Sequence, residues 1–429
     1  MLRAYRILTF FFYPLFVILI YFRSLLKKED RIRFKEKIFS SALNANRNKN
    51  KKLIWFHAAS IGETLSILPL IDEINNINKN IDFLITTVTL SSATLLGKKL
   101  NSYNNVSHRY FPIDIDHLSE KFLNEWSPNL ACFVDSEIWP NFLFKIKKKG
   151  IPLVLLNGRI TKKTFKKWSV FPRFAKKIFN NFDLCLPSSL ESEKNLEKLQ
   201  VKKLSFVGNL KFTIKIKKEN LDILNIEILD KFKVWCAAST HDGEEIVAIK
   251  THLEIKKKYD NVLTIIIPRH INRVLKVKSL TDRFNLSSQI LNDGDLIDKN
   301  KEILIINSFG VLFKYFNYCK NIFIGKSLIK KLKFVGGQNP IEAAKLDCNI
   351  YYGPYVYNFQ EVYDFLETNK MAEQIYNEYD LSNSIMKKFK NPKKIDYENI
   401  DLLNNHGEKI LQHTIMSLNE LIEIKNENA

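Results

Sequence analysis

At 429 residues the chain is longer than one hydrophobic core usually organises, which predicts two domains, each burying a core of its own. A formal net charge of +20, from 66 Lys and Arg against 46 Asp and Glu, points to anionic partners such as acidic lipid, nucleic acid or a phosphorylated substrate, although a Lys-, Asn- and Ile-rich composition accounts for part of it. The five cysteines (Cys132, Cys185, Cys236, Cys319, Cys348) lie scattered in apolar stretches with no CxxC pair and no histidine at ligand spacing, which excludes a disulfide framework and a zinc site and fits a reduced, cytosolic chain.

The first element is apolar, with no charge from Ile7 to Phe22. The run falls short of the roughly 20 residues of a spanning helix and is long for a signal-peptide core. No small-residue cleavage site follows, so residues 1–28 are expected to remain as an uncleaved anchor. A helix lying in the membrane interface is the competing reading to a span. Arg3 and Arg6 precede the run and Arg23, Lys27 and Lys28 follow it, so charge does not orient it; the reduced, basic remainder predicts a cytoplasmic body. A basic connector, Lys27 to Lys52, leads into the first strand.

From Leu53 to Ile74 the sequence LIWFHAASIGETLSILPLIDEI joins a buried strand to a helix through Ser60-Ile61-Gly62-Glu63. Leu53 to Ala59 is apolar and aromatic, and Leu65, Leu68 and Ile71 recur at helical spacing. Glu63 therefore falls just past the carboxyl end of a strand, where open α/β sheets present ligands. Ser60-x-x-Glu63 is equally a capping box, and these residues alone leave both roles open.

Further apolar strands alternate with helical stretches: DFLITTVTL, LACFVDSEIWP, IPLVLLNGR, FDLCLPSS and KLSFVGN. Polar residues gather just past their ends, among them Thr86 and Thr87, Asp135 and Glu137, Asn157 and Arg159, Ser188 and Ser189. This is a Rossmann-like pattern over 29–211. A linker over 212–231 precedes a second series over 232–400: KVWCAAST, VLTIIIPRH, EILIINSFG, NIFIGKSL and CNIYYGP. The fold class expected is α/β, two Rossmann-like domains facing a central cleft. The remainder, 401–429, is expected to carry an amphipathic helix from Asp401 to Lys425 that packs back on a domain face.

HAASIGET, TTVT, DSEIWPN, NGRIT, VGNLKF, AASTHDGEE, PRH and VGGQNPIEAA together, in this order, make the chain resemble bacterial 3-deoxy-D-manno-octulosonic acid (Kdo) transferases over nearly its whole length. The resemblance implies a GT-B glycosyltransferase that moves Kdo from CMP-Kdo to a phosphorylated lipid A precursor. The acceptor would bind the first domain and the nucleotide sugar the second, with no cofactor beyond the donor and no essential metal. It implies an anionic inner-membrane surface as partner, catalytic domains on its cytoplasmic face and no nucleic acid. Glu63 matches the general base, Glu137 a transition-state-stabilising glutamate and Lys211 a lysine near the reacting centre. Asp135 stands where the family usually has glutamate, which makes Glu137 the safer assignment.

On the donor side Gly336, Gly337, Gln338, Asn339, Pro340, Ile341 and Glu342 put flexible backbone ahead of an Asn N-cap, a Pro at N1 and a Glu at N3. A helix starting there offers free amides to a phosphate, and Glu342 either accepts from ribose hydroxyls or completes a cap. Pro268 and Arg269 place a cation at a strand end, Ser239 and Thr240 offer hydroxyls and amides, and Gly310, with Val311 and Leu312, permits close approach of base or ribose. Gln338 and Val311 depart from the family's usual residues. Two other readings remain: a GT-B enzyme using a different nucleotide sugar on a lipid acceptor, and a non-enzymatic basic membrane-surface or nucleic-acid-binding protein.

The stretch Thr161 to Phe179, TKKTFKKWSVFPRFAKKIF, mixes Lys162, Lys163, Lys166, Lys167, Arg173, Lys176 and Lys177 with Phe165, Trp168, Phe171, Phe174 and Phe179. It is expected to dock on an anionic bilayer. The competing reading is an ordinary helix with its aromatics in the core.

Overall fold

A computed structural model describes residues 1–216, 220–308, 310–392 and 395–423. Phe309, residues 217–219 of the expected linker and residues 424–425 of the expected last helix lie outside the described residues. The chain forms two compact units, Met1–Ile214 with His406–Ala429, and Lys215–Asn405.

In the first unit, β1 (Lys52–His57), β2 (Ile81–Thr87), β3 (Val106–Tyr110), β4 (Leu130–Val134), β5 (Leu153–Gly158) and β6 (Leu184–Pro187) form one parallel sheet in the order β3-β2-β1-β4-β5-β6. Central strands such as LIWF and LACFV are apolar at every position because helices cover both faces, leaving no solvent side to select polar residues. The strand order reverses between β1 and β4. At such a switch point the following segments leave on opposite faces, and their divergence opens a ligand crevice at the carboxyl ends of the strands.

The second unit repeats the device with β7 (Lys233–Thr240), β8 (Val262–Pro268), β9 (Ser288–Leu291), β10 (Ile303–Ile306), β11 (Asn321–Ile324), β12 (Asn349–Tyr352) and β13 (Ala372–Gln374). All pairings are parallel, in the order β13-β12-β11-β7-β8-β10-β9, so its switch point lies between β7 and β11.

Three expectations need correction. KLSFVGN is not a strand: Leu204 makes only an isolated bridge to Cys185, and Gly208, at φ +102, turns the chain away from the edge of β6. The last helix begins at Tyr397 instead of Asp401, because Asp396 accepts the Asn399 amide at 3.1 Å and caps it. The segment between the domains holds a short helix, Ile223–Leu229, capped by Asp222.

From His406 onward the last helix packs on the first unit. A Cβ on Gly407 would meet the Phe212 carbonyl at 2.3 Å, Ile410 lies over Gly208, and the His406 ring meets Phe212 at 4.7 Å. At the other end of the chain, the apolar helix Leu2–Leu25 rests one stripe on the same unit. The Tyr5 hydroxyl donates to Asp114 at 2.8 Å, Tyr13 donates to the Ile38 carbonyl, and Ile20 packs with Phe34 and Ile38.

Candidate active site

Both sheets end in backbone that L-residues rarely adopt. Asp135 (φ 61) follows β4, Asn157 (φ 52) closes β5, Ser239 (φ 55) lies near the end of β7 and Lys326 (φ 59) follows β11. Each such residue costs roughly 1–3 kcal/mol, and strain of this kind gathers where side chains must be aimed.

At the first switch point, the helix Ile61–Ile77 is opened by a reciprocal cap. Ser60 Oγ accepts the Glu63 amide at 3.4 Å, Glu63 Oε2 accepts the Ala59 amide at 2.8 Å, and Glu63 Oε1 accepts the Ser60 hydroxyl at 2.6 Å. The capping reading of Glu63 thus holds as geometry. It does not exhaust the group, since each carboxylate oxygen has lone pairs to spare. Burial raises the Glu63 pKa above the usual carboxylate range, and the neighbouring charges of Asp135 and then Glu137 add to it. A carboxyl so placed takes a proton more readily than an exposed one.

Glu137 is held from two sides: its Oε2 lies 3.1 Å from His57 Nε2 and accepts the Trp139 indole N–H at 2.7 Å. His57 is fully buried at the end of β1, its ring stacked on Phe111 at 3.8 Å and its Nδ1 3.1 Å from Thr86 Oγ1. Asp135 turns instead to Arg159, whose Nε reaches Oδ1 at 3.0 Å, while the Ser136 hydroxyl bridges Asp135 and the Arg159 carbonyl. Lys211 sits in a short turn, Leu210–Thr213, fastened by the Leu210 amide to Asn157 Oδ1 at 2.8 Å and by the Lys211 amide to Asn209. That turn packs on the helix Ile61–Ile77, whose first turn carries Glu63. The structure therefore brings Glu63 and Glu137 together around the β1–β4 switch and fixes the Lys211 backbone to the end of β5.

In the second unit, Ser239 and Thr240 end β7 at the switch point. The Thr240 carbonyl accepts the Arg269 amide at 3.0 Å, which seats Pro268 and Arg269 alongside. Gly325, at the end of β11, has no room for a side chain: a Cβ there would lie 2.7 Å from the Ser239 carbonyl oxygen. Gly337 donates to the Lys326 carbonyl at 2.7 Å, which carries the glycine loop to the same strand end. Asn339 Oδ1 accepts the Ile341 amide at 3.2 Å, and the short helix Ile341–Lys345 follows, so Pro340 occupies the cap position and Glu342 the second helical one. Gly310 (φ +78) has open space where a Cβ would point, beyond β10, with Val311 buried and Leu312 opening the next helix.

Two groups at this end escape a reading of the sequence alone. Glu244, fully buried, collects four amides: Oε2 accepts those of His241 (2.9 Å) and Lys326 (2.6 Å), and Oε1 those of Ser327 (2.8 Å) and Leu328 (3.0 Å). His241, 5.7 Å ring to ring from His270, is pushed down to about 4, chiefly by burial and also by the charges of Lys326, His270 and Arg269. The strand ends here form a cationic lining around a neutral imidazole. Among the described residues no group of three or more His, Cys, Asp and Glu side chains is arranged to hold a metal ion.

Two doubly wound parallel α/β units, each with polar residues at the carboxyl ends of its strands, define the GT-B fold class. A family model described as 3-deoxy-D-manno-octulosonic-acid transferase (kdotransferase) matches residues 32–214. The chain is 31% identical over 391 residues to a 3-deoxy-D-manno-octulosonic acid transferase of Rickettsia bellii, covering 90% of each chain. It is 25% identical to one of Haemophilus influenzae, covering 86% of each. The chain belongs to the 3-deoxy-D-manno-octulosonic acid transferase family. The fold is shared with a UDP-GlcNAc 2-epimerase from Neisseria meningitidis at a TM-score of 0.56 and 12% identity, over 86% of this chain and 100% of that one.

Proposed function

We propose that the chain transfers Kdo from CMP-Kdo to a phosphorylated lipid A precursor at the cytoplasmic face of the inner membrane, with Glu63 as general base. The observation that carries the reading is the setting of Glu63, a half-buried carboxyl at the first switch point whose Oε1 and Oε2 are fixed by Ser60 and Ala59, with a raised pKa and two acidic neighbours. In the transfer, the acceptor hydroxyl oxygen bonds to the anomeric carbon of Kdo as the bond from that carbon to the CMP phosphate oxygen breaks. The hydroxyl proton passes to Glu63, and CMP leaves with the electron pair. Positive charge builds on the sugar ring on the way, as in glycoside cleavage, and Glu137, aimed by His57 and Trp139, offsets it. Lys211 is assigned a place near the reacting centre on the family pattern.

On the donor side Arg269, His241 and Lys326 meet the phosphate. Ser239, Thr240, Gly337 and Asn339 contribute hydroxyls and amides, Glu342 takes the ribose hydroxyls, and Pro268, Gly310, Val311 and Leu312 frame the nucleotide. The reaction so written needs no metal; full activity in the presence of EDTA checks this. Incubation with CMP-Kdo and a tetra-acylated disaccharide acceptor, followed by mass spectrometry, tests the whole reading, and the absence of a Kdo-bearing product would overturn it. Val311 and Gln338, the two departures from the family pattern, favour one second reading, a different nucleotide donor. Greater thermal stabilisation by UDP than by CMP would support that alternative.

A further inference from the structure

Glu137 is aimed by two rings, the His57 imidazole and the Trp139 indole, and one side chain backs them both. Phe111, buried just past the end of β3, stacks on His57 with ring centroids 3.8 Å apart and meets Trp139 at 5.6 Å and Phe142 at 4.6 Å. Asp114, three residues further along the same loop, acts on Trp139 by another route.

Trp139 stands at the N-cap of the helix Pro140–Lys148, a position that calls for a side-chain acceptor, and an indole has none to offer. The helix start is satisfied all the same. Pro140 brings no amide, and the Leu143 amide donates to the Trp139 carbonyl at 3.0 Å. The two amides left over, those of Asn141 and Phe142, donate to Asp114 Oδ2 and Oδ1, each at 3.0 Å. The Asn141 side-chain amide donates to the Asp114 carbonyl at 2.6 Å. The cap therefore comes from 27 residues upstream of Asn141, which frees position 139 for a ring that reaches Glu137.

Asp114 has a further partner in the N-terminal helix. Its Oδ2 accepts the Tyr5 hydroxyl at 2.8 Å, and Arg6 donates to Asn141 Oδ1 at 3.3 Å. Asp114, Asn141 and Phe142 are buried, so an acceptor lost there is not made up by bulk water.

We propose that Asp114 and Tyr5 are positioning residues for the transfer: Asp114 seats the start of the helix Pro140–Lys148, which fixes the Trp139 indole and through it the Glu137 carboxylate, and Tyr5 steadies Asp114. The N-terminal helix then helps to set the reacting centre. The proposal rests on the reading of Glu137 as the group that offsets positive charge on the sugar. A cap that served stability alone would lower the unfolding midpoint and leave the Trp139–Glu137 contact as it is.

Tyr5→Phe removes one hydroxyl and leaves the cap in place, while Asp114→Asn keeps one acceptor oxygen. In the full chain, labelled with 5-fluorotryptophan and held in detergent, the Trp139 fluorine resonance, assigned with Trp139→Phe, should shift or broaden in both variants. Those of Trp126 and Trp235 should stay in place. The kcat for Kdo transfer should fall about threefold to tenfold in Tyr5→Phe and further in Asp114→Asn, with the KM for CMP-Kdo unchanged. Combined with Glu137→Gln, Tyr5→Phe should lower kcat no further, because its effect runs through that carboxylate. Should Asp114→Asn fail to fold, Tyr5→Phe decides alone. A Trp139 resonance that ignores Tyr5→Phe would overturn the proposal, as would kcat losses that multiply in the double variant. Normal kcat in Glu137→Gln alone would count against the functional reading of Glu137, whereas a Trp139 resonance that still answers to Tyr5→Phe would uphold the positioning.

Discussion

His57 Nε2 and Glu137 Oε2 stand 3.1 Å apart although three helix–strand repeats separate them in the chain, and the contact ties the end of β1 to the loop after β4. Its effect is directional: imidazole and the Trp139 indole both meet one carboxylate oxygen, which orients the group proposed to stabilise the transition state. His57→Gln should lower kcat by about tenfold to 100-fold with little change in the KM for CMP-Kdo, since ground-state binding of the donor does not use this contact. A KM rise at constant kcat would mean that His57 shapes a binding surface instead.

Glu63→Gln keeps the cap, because Gln also serves in the box, and should lower turnover by about 100-fold or more. Near-normal activity would return Glu63 to a purely structural role. The acid limb of the kcat/KM profile should lie above the ordinary glutamate range, and Glu137→Gln should move it to lower pH by removing a neighbouring negative charge. The same raised pKa acts on folding. The folded state holds the Glu63 proton more tightly than the unfolded chain does, so this group's contribution is present below the ordinary glutamate pKa and is lost as pH rises through the raised one. Thermal unfolding of wild type and Glu63→Gln across that window checks the sign.

Glu244→Ala would leave four amides, those of Ser327 and Leu328 buried, without their acceptor and free the turn at Lys326. The second unit should lose about 3 kcal/mol or more in denaturant unfolding, and CMP affinity should fall with it. An unchanged unfolding midpoint would show that water replaces the carboxylate.

For the donor, Glu342→Ala should weaken CMP binding measured by calorimetry and leave acceptor binding intact; unchanged CMP affinity would mean that the ribose contact lies elsewhere. His241, whose pKa is pushed down to about 4 chiefly by burial, should show a rise in that pKa when CMP is added, because the phosphate offsets the cationic neighbours that lower it further. Its imidazole resonance in selectively labelled protein reports this directly. A resonance that ignores CMP would separate the histidine from the phosphate.

What could be read in advance follows the range of each interaction. Glu63 was legible as a cap because its partners, Ala59 and Ser60, are neighbours in the chain, and the β4 strand because burial on both faces makes it apolar without interruption. β3, β9 and β13 were missed: they lie at sheet edges, where VSHRY, SQIL and AEQ carry no continuous apolar run. His57 and Glu244 look like an ordinary strand residue and an ordinary first-turn acid. Only a distant loop, at Glu137 or at Lys326 to Leu328, gives each its role, and no local pattern encodes that pairing. The hairpin at Thr161 was legible as composition, whereas the sorting of its aromatics into the core required the fold.

The return of the last helix to the first unit also bears on how the protein is made. Gly208 and Phe212 receive their packing partners from His406, Gly407 and Ile410, so the first unit is discontinuous and encloses the whole second unit as an insertion. During synthesis the inserted unit emerges as one continuous piece and can mature on its own. The unit that begins first must wait, with the Leu210–Thr213 turn uncovered, until the ribosome has delivered the segment from His406 onward. Vectorial folding is therefore inverted: the later-born domain is completed first, and the earlier-born one closes last.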